Sequence, residues 1–542
     1  MTRTDAATND VSLNDVSLND AVQNGARQPA TSDADGHAAT APPGGPLPQR
    51  AADGPELPPI AQDDFESLPA STDIEGWLRA LAAGHPAAGW QQIGESAGGR
   101  PIGALEIVTP RNGHATPRLR VMIVGGQHGN ETASPEAVQF LAYALLHGTL
   151  QPLAHEIDWL LVPLANPDGR DLAVRENARG VNTNTDYLQL SQPESRALVE
   201  QLLRWRPHAV LDVHESEAYK EDSLAQQGFM TRFDLQYEVG FAPNIDQRLR
   251  ELGVHGLLPA LVRQAADAGL AARRYIYEIT DVSAPIRHGG ITLRNFRNYA
   301  GTHDVLSTLI EGRIDPPGDY PTPHNIRERV AELYGGVQAY AQVVASRSDS
   351  IRQTVEAVRT VHGETRSAPL VLRARYAVDP QQPSIILPLQ RISDDSIVAK
   401  SFDYHGMVVA TERFEPPLGY RVTRHVDEIA GLLRRHGLRS VRLQGGERMQ
   451  AASRHITGLV ISPPPRGVGR YATDVLLEER PVQARTAAAG ELWVPLDQPH
   501  GWLAALLLEP RASSSLFAEP DYVTLLEEGP FFIERVTGTP PQ

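Results

Sequence analysis

The chain has 542 residues, more than the ~250–300 over which one hydrophobic core keeps growing, so two folded parts and some unfolded length are expected. A formal net charge of -16 argues against a phosphate-tracking surface, which needs concentrated positive charge, and no nucleic-acid partner is expected. Because there are no cysteines, disulfides, thiolate nucleophiles and Cys-ligated metals are excluded, and any metal must sit on His and carboxylates.

In chain order, residues 1–62 come first. The stretch 1–60 has no Phe, Tyr or Trp, repeats VSLND in tandem and then turns rich in Ala, Pro and Gly. Such a composition cannot bury enough apolar surface to offset its ordering entropy, so 1–62 is expected to be a disordered arm. The opening lacks a basic segment leading into an apolar one, and no later apolar run reaches ~18–20 residues, so no membrane partner and a cytoplasmic location are expected.

Residues 63–350 alternate apolar runs with amphipathic ones, as an α/β domain does. The runs 119–125 (LRVMIVG), 157–165 (IDWLLVPLA), 209–213 (AVLDV) and 305–310 (VLSTLI) predict buried strands. Between them, 135–147 and 193–204 space apolar residues at three and four, which predicts helices, with Pro135 and Pro193 suited to a first turn. A helix over 324–345 leads to a linker at 351–365. The last part, 366–542, has shorter, more β-branched segments and is expected to be a β-rich accessory domain, with one helix over 426–437 ending at a glycine.

The chemistry-bearing motifs lie where strands end. GGQHGNE (125–131) follows the first strand and can project His128 and Glu131 toward the crevice where α/β sheets place their sites. Alone it reads as a surface turn with a capping carboxylate. LDVHES (211–216) ends a second strand in His214, which alone reads as a core histidine. Two strand-end histidines with one carboxylate make the His₂Glu set of a catalytic zinc, which leaves a coordination position open. A third strand ends in Glu311, a carboxylate able to take a proton from water beside a metal. The polar loop 166–187 offers Arg170, Arg175 and Arg179 as donors to an oxyanion or a carboxylate, and the pattern does not choose among them.

In order, IGESAGGRPI (93–102), GGQHGNE, NPDG, RENARGVNTN, a strand ending in D-x-H and a strand ending in Glu resemble the motifs of the zinc carboxypeptidase family, the carboxypeptidase A-like metallopeptidases. The segments 417–438 and 491–510 are similar to a region that follows the catalytic domain in larger bacterial members. The resemblance implies a three-layer α/β/α sandwich around a mixed, twisted sheet, with one zinc per chain on His128, Glu131 and His214. It also implies Glu311 as general base, Arg175 as the oxyanion-polarising arginine, and Asn184 as a substrate-binding residue with Arg179 a candidate beside it. Where the family pairs Asn with Arg to clamp a terminal carboxylate, Thr185 follows Asn184. Selectivity for a free terminus is therefore expected to weaken unless Arg179, Arg294, Arg297 or Arg313 substitutes. Tyr277 and Tyr299 are the candidates for a substrate-closing tyrosine.

The expected substrate is a peptide or an amide-containing small molecule. A second reading is an N-acyl amino acid deacylase of the aspartoacylase and succinylglutamate desuccinylase kind, against which NPDG and RENARGVNTN stand. A third is a non-catalytic binding protein on the same fold.

Overall fold

The strands LRVMIV and IDWLLV carry almost no polar alternation because both faces of the sheet are covered, the pattern of buried parallel strands. In the computed structural model, which describes residues 46–50, 54–110, 117–314, 325–363, 369–464, 469–538 and 540–541, the first part of the chain is built on strands β1 (Ala88–Glu95), β2 (Pro101–Ile107), β3 (Leu119–Val124), β4 (Ile157–Val162), β5 (Ala209–Glu217), β6 (Phe229–Met230), β7 (Leu235–Val239), β8 (Ala272–Arg274) and β9 (Leu306–Ile314). All but β6 form one eight-stranded sheet in the order β1-β2-β4-β3-β5-β9-β7-β8. The pairs among β4, β3, β5 and β9 are parallel, as is β7 with β8, whereas β1–β2, β2–β4 and β7–β9 are antiparallel. The sheet is therefore mixed, and helices cover both faces, giving the three-layer sandwich.

The four strands expected from apolar runs are β3, β4, β5 and β9, and the expected helices appear as Ala133–His147, Pro193–Trp205, Ile326–Ser346 and Val426–Arg435. The hairpin β1–β2 and the strands β7 and β8 were not predicted. On β9 the side chains alternate. Thr308 and Ile310 face the helix Ile326–Ser346, whose Gly336 lies against Ile310 and Tyr237, while Ser307 and Glu311 face the other way, toward the short helix Phe296–Gly301. Asp212 and His214 share the Glu311 face because His214 pairs with Glu311 across β5 and β9.

Two expectations are corrected. Residues 351–365, expected as a linker, are helical as far as Gly363 within Ser348–Gly363. Ile351, Val355 and Val358 are buried at helical spacing, while Glu356 meets His208 and Arg359 donates to the Pro207 carbonyl, at the strand ends opposite the site. Of the arm 1–62, residues 1–45 and 51–53 lie outside the described residues, but 54–62 are packed. Residues Pro59–Gln62 form a helical turn with Ile60 buried, and the Trp77 indole donates to the Glu56 carbonyl at 2.9 Å.

The accessory part is β-rich. It contains a pair of β10 (Leu370–Ala377) with β13 (Met407–Phe414), a pair of β11 (Ser384–Arg391) with β12 (Ile397–Asp403), and a seven-stranded antiparallel sheet. That sheet uses β14 (Gly419–Val422), β15 (Val441–Arg442), β16 (Arg448–Ser462), β17 (Ala472–Glu479), β18 (Gln483–Thr486), β19 (Leu492–Pro495) and β20 (Gly529–Val536). β11 also pairs with β6, so one accessory sheet extends into the first part of the chain. The largest apolar cluster, from Ile60 through Leu161 and Leu432 to Ile533, runs through both parts, and two smaller clusters accompany it. Among the described residues no helix is long and apolar enough to cross a membrane.

Candidate functional site

The turn after β3, two positions within β5 and β9, and one loop build the site; both strands were expected to end at His214 and Glu311 but run three residues further. After β3 the chain turns through Gly125 and Gly126, which sit against the Pro163 carbonyl, and reaches His128 and Glu131. Gly129 packs backbone to backbone on Gly169 of NPDG, and a Cβ there would overlap the Gly169 carbonyl carbon at 1.8 Å. Only glycine permits that approach, which locks the two motifs together. NPDG in turn is fixed by the lead-in motif. Buried Asp168 accepts from Ser96 Oγ at 2.9 Å, Gly98 N at 2.7 Å and Arg100 Nη1 at 2.6 Å.

His128, Glu131 and His214 are buried and converge on one point, with a donor atom from each within 4.8 Å of the others. Glu131 Oε1 is 2.7 Å from His128 Nδ1, its Oε2 is 2.8 Å from His214 Nδ1, and the two Nδ1 atoms are 3.2 Å apart. Two nitrogens bound ~2.0–2.1 Å from one tetrahedral ion would lie about 3.3 Å apart, so this set fits zinc. The other ring nitrogens are anchored. His128 Nε2 lies 3.0 Å from Asn182 Oδ1. His214 Nε2 lies 3.0 Å from Asp212 Oδ1, which also accepts from Gln127, itself held by the Tyr187 hydroxyl. Such partners fix the tautomer that leaves Nδ1 facing a metal and raise the ligand's basicity.

Asp212 and Asn182 were not among the predicted site residues, although both lie inside the motifs. Asp212 is two residues before His214, on the same strand face, and that spacing is the signal for it.

The electrostatics of the cluster suit a cation. Burial would raise Glu131, but the His128 and His214 charges outweigh it and hold the carboxyl well below its usual range. Burial likewise lowers His214, yet the Asp212 and Glu131 carboxylates hold it well above the ordinary imidazole value. His128 is lowered, mainly by burial. Burial pushes Glu311 up to about 8; Glu131 adds to the rise, and His214, Lys220 and Arg175 oppose it. A divalent cation beside it would pull the carboxyl back down.

The loop arginines separate. Arg170 is buried and holds Glu136 at 2.6 Å and the Thr132 carbonyl, a scaffold role. Arg175 is 44% exposed and places Nη1 2.9 Å from Glu131 Oε1. Arg179 is exposed on the same loop. Asn184 has Nδ2 3.1 Å from His214 Nε2 and accepts from Phe296 N through Oδ1. Tyr299 is not at the site, because it is buried against the accessory part with its hydroxyl 2.8 Å from His436 Nδ1. Tyr277 is 42% exposed. The tyrosine nearer the site is Tyr275, which feels the charges of Glu311 and Arg175 and is raised by burial. Its carbonyl accepts from His288, and the Tyr404 hydroxyl of the accessory part bonds the far side of that ring. Those contacts come from the accessory part and leave no trace in the local sequence.

Residues 74–202 match the model of the zinc carboxypeptidase domain. Carboxypeptidase 2 of Trichophyton rubrum is 26% identical over 248 residues, covering 44% of this chain and 46% of that protein. An inactive metallocarboxypeptidase of Ajellomyces capsulatus is 35% identical over 112 residues, 19% of each chain. Among solved structures, a metallo-carboxypeptidase from Pseudomonas aeruginosa in complex with (2-guanidinoethylmercapto)succinic acid is 22% identical, covers 52% of this chain and 70% of that one, and superposes with a TM-score of 0.40. The chain spans about half the length of the curated relatives it matches. Residues 74–202 are thus similar to a zinc carboxypeptidase domain.

Proposed function

We propose that the chain is a zinc-dependent hydrolase that cleaves a peptide or peptide-like amide bond, with one zinc per chain held by His128, Glu131 and His214. The observation that carries this reading is the convergence of those three donors directly beside Glu311, which pairs in register with His214. A bound zinc would supply Lewis acidity, polarising the scissile carbonyl and making an attacking water acidic near neutral pH.

The side chains do the rest. Glu311, as carboxylate, takes the proton of the attacking water and passes it to the leaving nitrogen. Arg175 reaches the cluster from the exposed loop and carries donors beyond its one bond to Glu131, so it can stabilise the charge that develops on the carbonyl oxygen. Asn184, whose amide lies beside His214 at the edge of the substrate space, and Arg179, exposed on the loop, serve as substrate contacts. Asp212 and Asn182 keep both imidazoles aimed at the metal position.

Metal content tests the reading. Elemental analysis is expected to find about one zinc per chain, with binding lost in His128→Ala, as one His₂Glu site implies. Zinc absent after reconstitution, or undiminished in that variant, overturns it.

A further inference from the structure

Thr185 leaves the family's carboxylate clamp without its guanidinium, and neither Arg294 nor Arg297 restores it. The Thr185 hydroxyl is spent inside its own turn, donating to the Asn182 carbonyl at 3.0 Å. Arg294 is turned to the accessory part, with Nε 3.3 Å from Glu519. Arg297 is buried over the Phe241 ring and bonded to the Gly290 carbonyl.

A different cation stands past Glu311. A cavity of about 140 Å³ opens there, with Lys220, Gln236 and Tyr275 on its wall and Phe233 and Ile276 as apolar surface. Its position follows from the sheet. Gln236 pairs with Glu311, which pairs with His214, so one row of side chains runs from the metal ligands to the cavity. Lys220 is one of two lysines in the chain. Its ammonium donates to Ser216 Oγ at 2.9 Å, and among the described residues it forms no ion pair.

Two neutral donors join it. Gln236 spends its Oε1 on the Ile276 amide, which leaves its NH₂ group for a ligand, and the Tyr275 hydroxyl has no hydrogen bond among the described residues. Glu217 and Glu278 line the same cavity but are exposed, where water screens them.

We propose that this cavity receives a carboxylate of the substrate, with Lys220 as its counter-charge and Gln236 and Tyr275 as neutral donors. The inference rests on the hydrolase reading and names the group its substrate carries. A lysine meets a carboxylate as a compact point charge rather than as a two-pronged fork, so it substitutes for the charge of the missing guanidinium and not for its geometry. The carboxylate has two sources, the terminus of the substrate or an acidic side chain beside the scissile bond. The expectation of weak acid selectivity drawn from Thr185 is revised accordingly.

The test uses the full-length, zinc-loaded protein and two peptide pairs, one differing by a free or amidated terminus and one by Glu or Gln beside the scissile bond. In wild type one pair is expected to favour the acid at least tenfold in kcat/KM, and that pair identifies the source. The preference should collapse toward unity in Lys220→Met through KM, and persist in Lys220→Arg. No preference in either pair, or one unchanged in Lys220→Met, overturns the proposal. Calorimetry with glutarate adds a readout without turnover, with affinity expected to fall at least tenfold in Lys220→Met. Glutarate held through Lys220 by a protein that cleaves no amide refutes the hydrolase reading alone. Amide cleavage with glutarate affinity indifferent to Lys220 refutes the carboxylate site alone.

Discussion

Replacing Glu311 by Gln is expected to lower kcat by about 10²–10⁴, the scale of a positioned general base, while the protein keeps its zinc. The substitution preserves shape and hydrogen-bonding capacity and removes only the ability to accept a proton. Glu311 lies on β9 and is not one of the three converging donors, so the metal position keeps its ligands. Its neighbours make the carboxylate sensitive to this change, because it is desolvated, near Glu131, and balanced by His214, Lys220 and Arg175. Turnover by the variant within threefold of wild type would move the base elsewhere. A wild type that binds zinc and peptide yet turns nothing over would make the chain a binding protein.

The second large effect concerns stability. Arg329, buried on the helix Ile326–Ser346, places Nε 3.0 Å and Nη2 2.8 Å from Glu215 Oε1, and Glu215 Oε2 accepts from Ala133 N at 2.7 Å. Glu215 follows His214 and has its amide on Glu131 Oε2, so this pair ties the helix layer to the metal cluster. Arg329→Ala leaves a buried carboxylate without its counter-charge, which is expected to cost about 3–5 kcal/mol. Denaturant titration should show the midpoint shift at constant slope if the fold is kept. A loss below ~1 kcal/mol, the worth of an exposed pair, would show that solvent or a rearranged partner satisfies Glu215.

The site was legible in the sequence to the extent that its residues end apolar runs. His214 and Glu311 directly follow the apolar runs of β5 and β9, although both strands continue three residues further, and His128 and Glu131 follow a third, so the convergence of all four follows from strand order. What was not legible depends on contacts between distant segments. Asp212 and Asn182 are polar residues inside motifs and have many ordinary roles, and their meaning appears only when they lie 3.0 Å from the ligand rings. Tyr299 looked available to a substrate because nothing local shows that His436, 137 residues on, takes its hydroxyl.

The same holds for the fold. The helix Ser348–Gly363 has a narrow apolar stripe of Ile351, Val355 and Val358 among polar residues, too sparse to stand out from a polar join. The packed stretch 54–62 was hidden by its proline content, since composition does not reveal that Ile60 and the Glu56 carbonyl meet the helix Ser71–Ala83 at Trp77. The division at 366 marks a change of composition, but the main apolar core crosses it because the helix Val426–Arg435 packs into the same cluster, and a second cluster joins β11 to β6.

The central claim is that one metal site does the chemistry, and the most direct measurement is peptide hydrolysis followed by mass spectrometry through a cycle of metal removal and return. The account predicts cleavage of an amide bond by the purified protein, its loss after chelation, and its recovery at about one equivalent of zinc per chain, the content of a single His₂Glu site. Cleavage that survives complete removal of zinc, or that returns equally in His128→Ala, would contradict it.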